Sequence, residues 1–287
     1  MNGAAMILMT GATGNVGRPL AAELDARGVA FRALLRDPAR AGTLPERAEP
    51  VVADLDQPAT LPPAFAGIDK LFLLTPGIGL AHTEHAVAAA RDAGVRHIVH
   101  LSSINVLGDP LPAMGRWHHD REELIRTCRI PATFLRPGGF MTNALDWAGT
   151  IRDGNFVLDP TGPGRHAPVD PADVAAVAAL ALTTEGHRGA EYVLTGEETF
   201  TVTEQVEVLR DVLGRDIDVR PATTPAQAVS ARFPHGAPPA LADAIIEGFT
   251  LMRADTVGVR TDTVRRLLGR APATFANWCA RNAHRFR

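Results

Sequence analysis

The chain has 287 residues, of which 46% are hydrophobic, and its formal net charge is −3 at pH 7. This length suits a nucleotide-binding domain with a smaller lobe. The negative net charge argues against a nucleic-acid partner, because the chain has no surplus of positive charge to bind the phosphates of a nucleic acid. No apolar run approaches the roughly 20 residues that span a bilayer, and the N-terminal residues lack a signal-peptide pattern. We therefore expect a cytoplasmic protein with no membrane partner.

Apolar runs alternate with helical patterns in the first half of the chain. We expect strands at Met6–Met9, Val29–Leu35, Pro50–Ala53, Leu71–Leu74, His97–Leu101 and Ala132–Leu135. We expect helices at Asn15–Arg27, Pro38–Leu44, His82–Ala93 and His118–Cys128. Short, nearly continuous apolar runs are typical of strands buried on both faces of a parallel sheet. The intervening helices indicate parallel crossovers, so the fold class is α/β, a doubly wound parallel sheet of the Rossmann type over residues 1–150.

The pattern changes after Pro137. Glycine and proline mark Pro160–Pro168 as a loop, and prolines break Pro221–Pro239. We expect helices at Val174–Leu182, Val202–Leu213, Leu241–Met252 and Thr274–His284, and strands at Glu191–Thr195 and Ile217–Arg220. We expect residues 151–287 to form a smaller mixed C-terminal lobe that binds substrate and shares part of the sheet.

Glycines separate the first strand from the first helix. Gly11 permits a sharp turn, Gly14 lets a pyrophosphate approach the backbone, and Gly17 lets the helix pack closely on the sheet. The N–H groups of the first helical turn then face the anion. The spacing predicts a bound dinucleotide, held by residues of this turn. They are Thr10, Gly11, Thr13, Gly14, Asn15, Val16 and Gly17.

The residues after the other strands should complete the cofactor site, because ligands of such sheets lie at the carboxyl ends of the strands. Arg36 suits a 2′-phosphate and Asp37 can instead cap a helix, which favours NADP(H) over NAD(H). Arg36 as a solvated surface charge is the alternative. Asp54 would accept from adenine or else cap a turn. The further expected cofactor contacts are Leu55, Thr75, Pro76, Gly77, Ser102, Pro137 and Gly138.

Polar and aromatic residues after the fifth and sixth strands are candidates for catalysis and substrate binding. Ser102 or Asn105 would polarise a substrate carbonyl, with Ser103 beside them, although such a serine commonly caps the next segment. Phe140, Asn143 and Trp147 would line the substrate pocket. Trp147 equally suits the core of the second lobe.

These motifs together resemble the atypical short-chain dehydrogenase/reductases, in particular the NmrA-like group. The resemblance rests on Thr10–Gly17, His100–Asn105, Thr133–Phe140, His166–Val174 and Tyr192–Gly196. It implies a Rossmann fold that binds NAD(P). The group includes NAD(P)H-dependent quinone reductases, reductases of natural-product pathways, and redox-sensing regulators that bind the cofactor without turnover.

One departure from the wider superfamily bears on the chemistry. Typical members use a Tyr-x-x-x-Lys pair, whereas this chain has one tyrosine, Tyr192, and one lysine, Lys70, and neither precedes the sixth strand. Counting back from Arg136, Met114 takes the tyrosine position and His118 the lysine position. Met114 would then face the substrate. His118 would bind the ribose or relay a proton, since imidazole titrates at a pKa of about 6.5, or else be a capping or surface residue.

The missing tyrosine favours some acceptors over others. Hydride transfer to a ketone yields an alkoxide of pKa about 16, whereas transfer to a quinone yields a phenolate of pKa about 10. The difference of about 6 units lowers the need for proton donation by roughly 8 kcal/mol.

We therefore predict an NAD(P)H-dependent reductase of a quinone or aromatic-polyketide-like small molecule, without metal or flavin, as a monomer or homodimer. One alternative is a flavin-free hydroxylation (monooxygenase) system in natural-product biosynthesis, or its reductase component. The other is a non-catalytic NAD(P)-sensing regulator.

Overall fold

The computed structural model describes residues 5–233, 235–254 and 258–287. Its main element is a seven-stranded sheet in the order β3-β2-β1-β4-β5-β6-β8. These strands are β1 (Ile7–Met9), β2 (Phe31–Leu35), β3 (Ala48–Val52), β4 (Lys70–Leu73), β5 (His97–Leu101), β6 (Ala132–Pro137) and β8 (Glu191–Leu194). Each neighbouring pair from β3 to β6 is parallel. The predicted doubly wound Rossmann sheet is confirmed.

Helices connect the strands. They are α1 (Gly17–Ala26), α2 (Leu61–Phe65), α3 (Ala81–Asp92), α4 (Ala113–Thr127), α5 (Ala148–Gly154), α6 (Pro171–Thr183), α7 (Val202–Leu213), α8 (Pro225–Arg232), α9 (Pro239–Arg253), α10 (Thr263–Leu268) and α11 (Phe275–Asn282). Short 3-10 helices occupy Pro38–Thr43, Pro58–Thr60, Ile104–Leu107, Met141–Trp147 and Ala283–Arg285. None of the helices in the described ranges is long and apolar enough to cross a membrane.

The chain forms two compact units, and the first is discontinuous in sequence. Unit 1 contains residues Met1–Val106, Gly115–Pro137 and Pro171–Val193, whereas unit 2 contains Leu107–Met114, Gly138–Asp170 and Leu194–Arg287. The boundary predicted at residue 150 differs from this division, because α6 and most of β8 group with the Rossmann unit. The substrate-binding role of the second unit stays a prediction.

Each unit has its own apolar core. In unit 1, sheet residues such as Leu8, Leu71 and Ile98 pack with helix residues such as Ala86 and Ile125. The sheet is thus buried beneath its helices, as expected for continuous apolar strands.

In unit 2, a separate core surrounds the ring of Phe275, which stacks on Trp278 with ring centroids 5.8 Å apart. A small parallel sheet of β7 (Phe156–Asp159) and β9 (Asp218–Pro221) belongs to this unit.

Several elements of unit 2 differ from the sequence prediction, among them α5, β7, α8 and α10. Strand β7 was not predicted, because its four residues lack a distinctive periodicity. Helix α8 lies inside the stretch expected to be broken by prolines. Pro225 begins this helix and Thr224 caps it by accepting a hydrogen bond from the Gln227 backbone N–H at 3.2 Å. Proline is well tolerated at the first helical position, where its missing N–H costs nothing.

Candidate cofactor and active site

The glycine turn has a geometry that fits a dinucleotide. Gly11 has a φ of +69°, which an L side chain rarely adopts. A Cβ on Gly17 would lie 1.9 Å from the Gly11 carbonyl oxygen, so the turn and α1 can pack this closely only with glycine there. Gly14 is exposed and its N–H donates to the Gly11 carbonyl at 3.0 Å. Among the described residues, no side chain caps the start of α1, although the Arg18 N–H donates to the Gly14 carbonyl at 3.0 Å. The N–H groups of an uncapped first helical turn can bind an anion.

Thr10 fixes the start of this turn through hydrogen bonds of its side chain. Its hydroxyl donates to the Leu74 carbonyl at 2.7 Å and accepts from the Leu74 N–H at 2.8 Å. The residue is 2% exposed. Thr10 therefore ties the end of β1 to the end of β4, and its predicted contact with the cofactor stays a prediction. Val16 is likewise buried, whereas Thr13 and Asn15 lie on the more open side of the turn.

The end of β2 places two neighbouring charged residues in different environments. The Asp37 carboxylate accepts from the Ala39 N–H at 2.9 Å and so caps the following 3-10 helix. The adjacent Arg36 is exposed, and no described residue forms an ion pair or hydrogen bond with its guanidinium. Asp37 is thus occupied while Arg36 remains available to a 2′-phosphate.

The loop after β3 is held by its own hydrogen bonds. The Asp54 carboxylate accepts from the Asp56 N–H at 3.0 Å, which is the turn-capping role that the sequence left open. Leu55 is 6% exposed and belongs to the core of unit 1, and its contact with an adenine stays a prediction. His82 Nε2 lies 2.6 Å from the Asp56 carboxylate and joins this loop to the start of α3.

The loop after β4 is braced by a buried arginine. Thr75 is buried, Pro76 and Gly77 are exposed, and Gly77 has a φ of +75°. Arg121 of α4 is 3% exposed, and its Nη2 donates to the carbonyls of Gly77 and Gly79 at 2.5 and 3.2 Å. Burial lowers the pKa of Arg121. A buried positive charge is thus placed beside the strand ends.

Ser102 belongs to a buried ionic network. Its hydroxyl donates to the Glu122 carboxylate at 2.6 Å, and Arg136 Nε and Nη2 bind the same carboxylate at 2.9 and 2.6 Å. Burial alone would raise the pKa of Glu122, but hydrogen bonds from Arg136 and Ser102 outweigh it and hold the pKa below its usual value. Ser102 is 4% exposed and its hydroxyl is bound to Glu122, and its contact with cofactor or substrate stays a prediction.

The next two polar residues are better placed to meet a ligand. Ser103 is half-buried, and its oxygen accepts from the Asn105 backbone N–H at 3.2 Å. Its hydroxyl proton and the Asn105 side-chain amide have no hydrogen-bond partner among the described residues. Both groups follow β5 and can donate to a carbonyl oxygen.

His118 lies on α4, half-buried, four residues before Glu122. Its Nδ1 is buried and has no hydrogen-bond partner among the described residues. Burial and the positive charge of Arg121 lower the pKa of His118 to about 4. The imidazole is therefore neutral at pH 7, so it can accept or donate one hydrogen bond at each nitrogen but carries no charge.

The residues that could have replaced the missing pair are engaged elsewhere. Tyr192 lies in β8, at the edge of the sheet, and its hydroxyl is 2.8 Å from His187 Nδ1. The Lys70 ammonium donates to the Leu182 carbonyl at 2.7 Å. Neither side chain belongs to α4.

The remaining predicted residues lie in unit 2, apart from Pro137, which ends β6 in a buried position. The Gly138 N–H donates to the Leu194 carbonyl at 2.9 Å, and Phe140 forms a bridge with Val169. Asn143 accepts from Arg232 Nη2 at 3.3 Å. Trp147 packs against the core of this unit. Met114 lies in the first turn of α4, half-buried.

Comparisons with known proteins give the family. The NAD(P)H-binding family matches residues 11–185. An NAD(P)H azoreductase from Xenophilus azovorans is 35% identical, with 98% of this chain and 99% of the azoreductase covered. A (4-alkanoyl-5-oxo-2,5-dihydrofuran-3-yl)methyl phosphate reductase from Streptomyces griseus is 38% identical over 98% of this chain and 99% of that protein.

The chain belongs to the NAD(P)H-binding family. A solved structure shows the same architecture: the NADPH-dependent quinone oxidoreductase from Escherichia coli in complex with NADPH has a TM-score of 0.85 and 27% identity, covering 98% of this chain and 100% of that one. The resemblance to the NmrA-like atypical short-chain dehydrogenase/reductases is confirmed, and this family member is an NAD(P)H-dependent oxidoreductase.

Three buried charged residues beside the predicted site residues were not singled out by the sequence analysis. Glu122, Arg136 and Arg121 are all buried, although charged residues normally lie at the surface. Arg136 lies in an otherwise apolar strand, which was a usable signal that it needs a buried carboxylate partner. The described residues contain no cluster of three or more histidine, cysteine, aspartate or glutamate side chains arranged to hold a metal.

Proposed function

We propose that this oxidoreductase reduces quinones, or similarly delocalised aromatic acceptors, with NADPH. The observation that carries the proposal is the composition of α4, where a neutral His118 stands in place of the usual lysine and Met114 in place of the usual tyrosine. Among the described residues, the tyrosine and lysine that the chain does possess bind His187 and Leu182 instead.

The reduced product must therefore form without a strong proton donor beside its oxygen. Bound NADPH would supply a hydride. A quinone suits such a site because its reduced oxygen has a pKa of about 10, close to that of a phenol, whereas a ketone would yield an alkoxide of pKa about 16. Ser103 and Asn105 would donate hydrogen bonds to the acceptor oxygen. Two relatives support this reaction class, since one is named an azoreductase and another a quinone oxidoreductase.

The cofactor would be bound by the glycine turn and recognised by its 2′-phosphate. Gly11, Gly14 and Gly17 would hold the pyrophosphate, and Arg36 would bind the phosphate through bidentate hydrogen bonds. The preference for NADPH over NADH follows from the absence of an available carboxylate at this strand end, where Asp37 caps a helix. His118 would accept a hydrogen bond from a ribose hydroxyl.

The test is a panel of acceptors offered to the purified protein with NADPH, with cofactor oxidation and oxygen uptake followed together. We expect turnover with benzoquinones and naphthoquinones and none with cyclohexanone. Tyr192→Phe should keep its activity within about twofold, because its hydroxyl binds His187 and not the substrate.

Other outcomes would refute the proposal. Tight NADPH binding with no quinone turnover would favour a regulator, and oxygen uptake with an oxygenated product would favour a hydroxylation system. Loss of activity in Tyr192→Phe would place a phenol in the reaction. His118→Ala should raise the KM for NADPH about fivefold, the size of one lost hydrogen bond, while His119→Ala, its neighbour on α4, should not.

A further inference from the structure

His100 is a buried titratable residue that the proposed reaction does not use. It lies in β5, is 0% exposed, and its Nδ1 lies 3.1 Å from the Leu73 carbonyl oxygen. A carbonyl can only accept a hydrogen bond, so Nδ1 of His100 carries the proton and Nε2 carries the lone pair. Burial and the proximity of His118 lower the pKa of His100 to about 3, so the ring is neutral at pH 7.

The lone pair on His100 has no hydrogen-bond donor. Nε2 is buried without a partner among the described residues, and the same holds for Nδ1 of His118. Buried polar atoms of this kind nearly always have a partner, either a protein group or an ordered water. The two atoms do not bond each other either, so a single ordered water between them would give both a partner.

The strand and the helix place these two imidazoles at one interface. Side chains two residues apart on a strand share a face, so His100 points to the same side of the sheet as Ser102. Ser102 contacts Glu122 of α4 at 2.6 Å. His118 lies one helical turn before Glu122 and therefore faces the same way. Both histidine side chains therefore face the space between β5 and α4, near enough for His118 to lower the pKa of His100.

The charged groups at this interface do not compete for the two nitrogens. Among the described residues, Arg121 directs its Nε and Nη2 to the Gly77 and Gly79 carbonyls. The Glu122 carboxylate accepts from Ser102, Arg136 and Arg126. Arg121 lowers the pKa of both histidines and Glu122 raises it; Arg121 has the larger effect on His118, and Glu122 has the larger effect on His100.

We propose that His100 fixes the tautomer of His118. His118 carries its proton on Nδ1 and donates a hydrogen bond to one ordered water, which in turn donates to His100 Nε2, and the Leu73 carbonyl holds the other end of this hydrogen-bond chain. Nε2 of His118 is then a lone-pair acceptor. In a neutral histidine, the hydrogen bond at one nitrogen decides which form the other takes.

This tautomer deepens the function proposed above and rests on its ribose contact. An imidazole with a bare Nε2 accepts a hydrogen bond from a cofactor hydroxyl, as required of a residue at the usual lysine position. It cannot give a proton to the substrate from that atom. His118 is therefore a cofactor-binding residue, and His100 is the positioning residue that acts through it.

The direct test is the tautomeric state of His118 in the full-length wild-type protein. Long-range ¹H–¹⁵N NMR of uniformly ¹⁵N-labelled protein at pH 7 separates protonated from bare ring nitrogens, and His118→Gln identifies the signals. We expect a protonated Nδ1 and a bare Nε2 on His118, and the same protonation on His100. A His118 protonated at Nε2, or doubly protonated, would overturn the proposal. This readout needs no quinone turnover, so it is independent of the substrate.

Variants of His100 test the coupling. In His100→Leu, the ordered water loses the acceptor that orients it, so the His118 proton should move to Nε2 and the Kd for NADPH, measured by fluorescence titration, should rise about fivefold. His100→Gln places an amide oxygen near the original Nε2 and should restore both the tautomer and the Kd. A His100→Leu variant with unchanged tautomer and Kd would also refute the proposal. If His100→Leu does not fold, the wild-type spectrum and His100→Gln still decide it.

Discussion

Replacing Glu122 with glutamine should destabilise the protein markedly. Four hydrogen bonds end on the Glu122 carboxylate, from the Ser102 hydroxyl, Arg136 Nε, Arg136 Nη2 and Arg126 Nη2. Its side chain is 1% exposed and that of Arg136 is 11% exposed. Glutamine keeps the shape but removes the charge, and its NH₂ group then opposes the arginine donors.

The size of the effect follows from burial. Removing one partner of a buried ion pair costs about 3–5 kcal/mol, because the other charge is left without compensation. Arg136 keeps Glu191 at 2.6 Å, although that carboxylate is 41% exposed. We therefore expect the lower end of the range, about 3 kcal/mol, and a Tm lowered by roughly 6 °C at about 2 °C per kcal/mol.

The assay is urea and thermal denaturation followed by circular dichroism at pH 7. Glu123→Gln is the matched control, because Glu123 lies beside Glu122 on α4 and binds Arg126 at 2.8 Å, but its side chain is 52% exposed. We expect a change of no more than about 0.5 kcal/mol for it. Equal effects of the two substitutions, or a Glu122→Gln change below about 1 kcal/mol, would refute the reasoning.

The pH dependence of this difference has a defined sign. The pKa of Glu122 is below its usual value in the folded protein, so its contribution is present above the unfolded pKa of about 4.3 and is lost as the pH falls through the folded pKa. The gap in unfolding free energy between wild type and Glu122→Gln should therefore persist from pH 8 to pH 5 and shrink below about pH 4.

Three further predictions concern the cofactor and the histidines. Gly17→Ala should weaken NADPH binding at least tenfold in a fluorescence titration, because its Cβ would lie 1.9 Å from a backbone oxygen, whereas Gly42→Ala, with open space around it, should not. Arg36→Ala should raise the Kd for NADPH about tenfold and leave that for NADH unchanged, and equal effects on both cofactors would contradict its assignment. The free energy of unfolding should fall as the pH drops from about 6.5 to about 4. Burial lowers the pKa of His97 to about 4 and that of His100 to about 3, so the unfolded chain takes up protons at a higher pH than the folded protein does. A free energy of unfolding, measured by urea denaturation, that stays constant over this pH range would contradict the prediction.

The first half of the fold could be predicted because its pattern is local. Strand β5 was predicted at its observed bounds, His97–Leu101, and the other strands of this half lie within two residues or so of the expected ends. Asp37 was correctly interpreted as a helix cap, since a cap depends only on its neighbours in sequence. Helix α4 begins earlier than predicted, at Ala113, because its first turn lacks an apolar periodicity.

The side-chain roles were harder to predict because they depend on contacts distant in sequence. Ser102 looked available at a strand end, but its partner Glu122 lies on the next helix. Thr10 looked like part of the phosphate turn, but its partner is Leu74 of the neighbouring strand. A sequence shows that a polar residue is near a site, whereas only the fold shows whether another group already binds it.

The discontinuity of unit 1 affects how the chain must fold during synthesis. The edge strand β8 and helix α6 follow an excursion of the chain through Gly138–Asp170. In the folded protein the Phe134 N–H of β6 donates to the Ala190 carbonyl, just before β8, at 2.9 Å. Until Glu191 has left the ribosome, this edge of β6 has no neighbouring strand. Unpaired strand edges promote aggregation, so a nascent chain ending near residue 150 should depend on chaperones far more than one ending beyond β8.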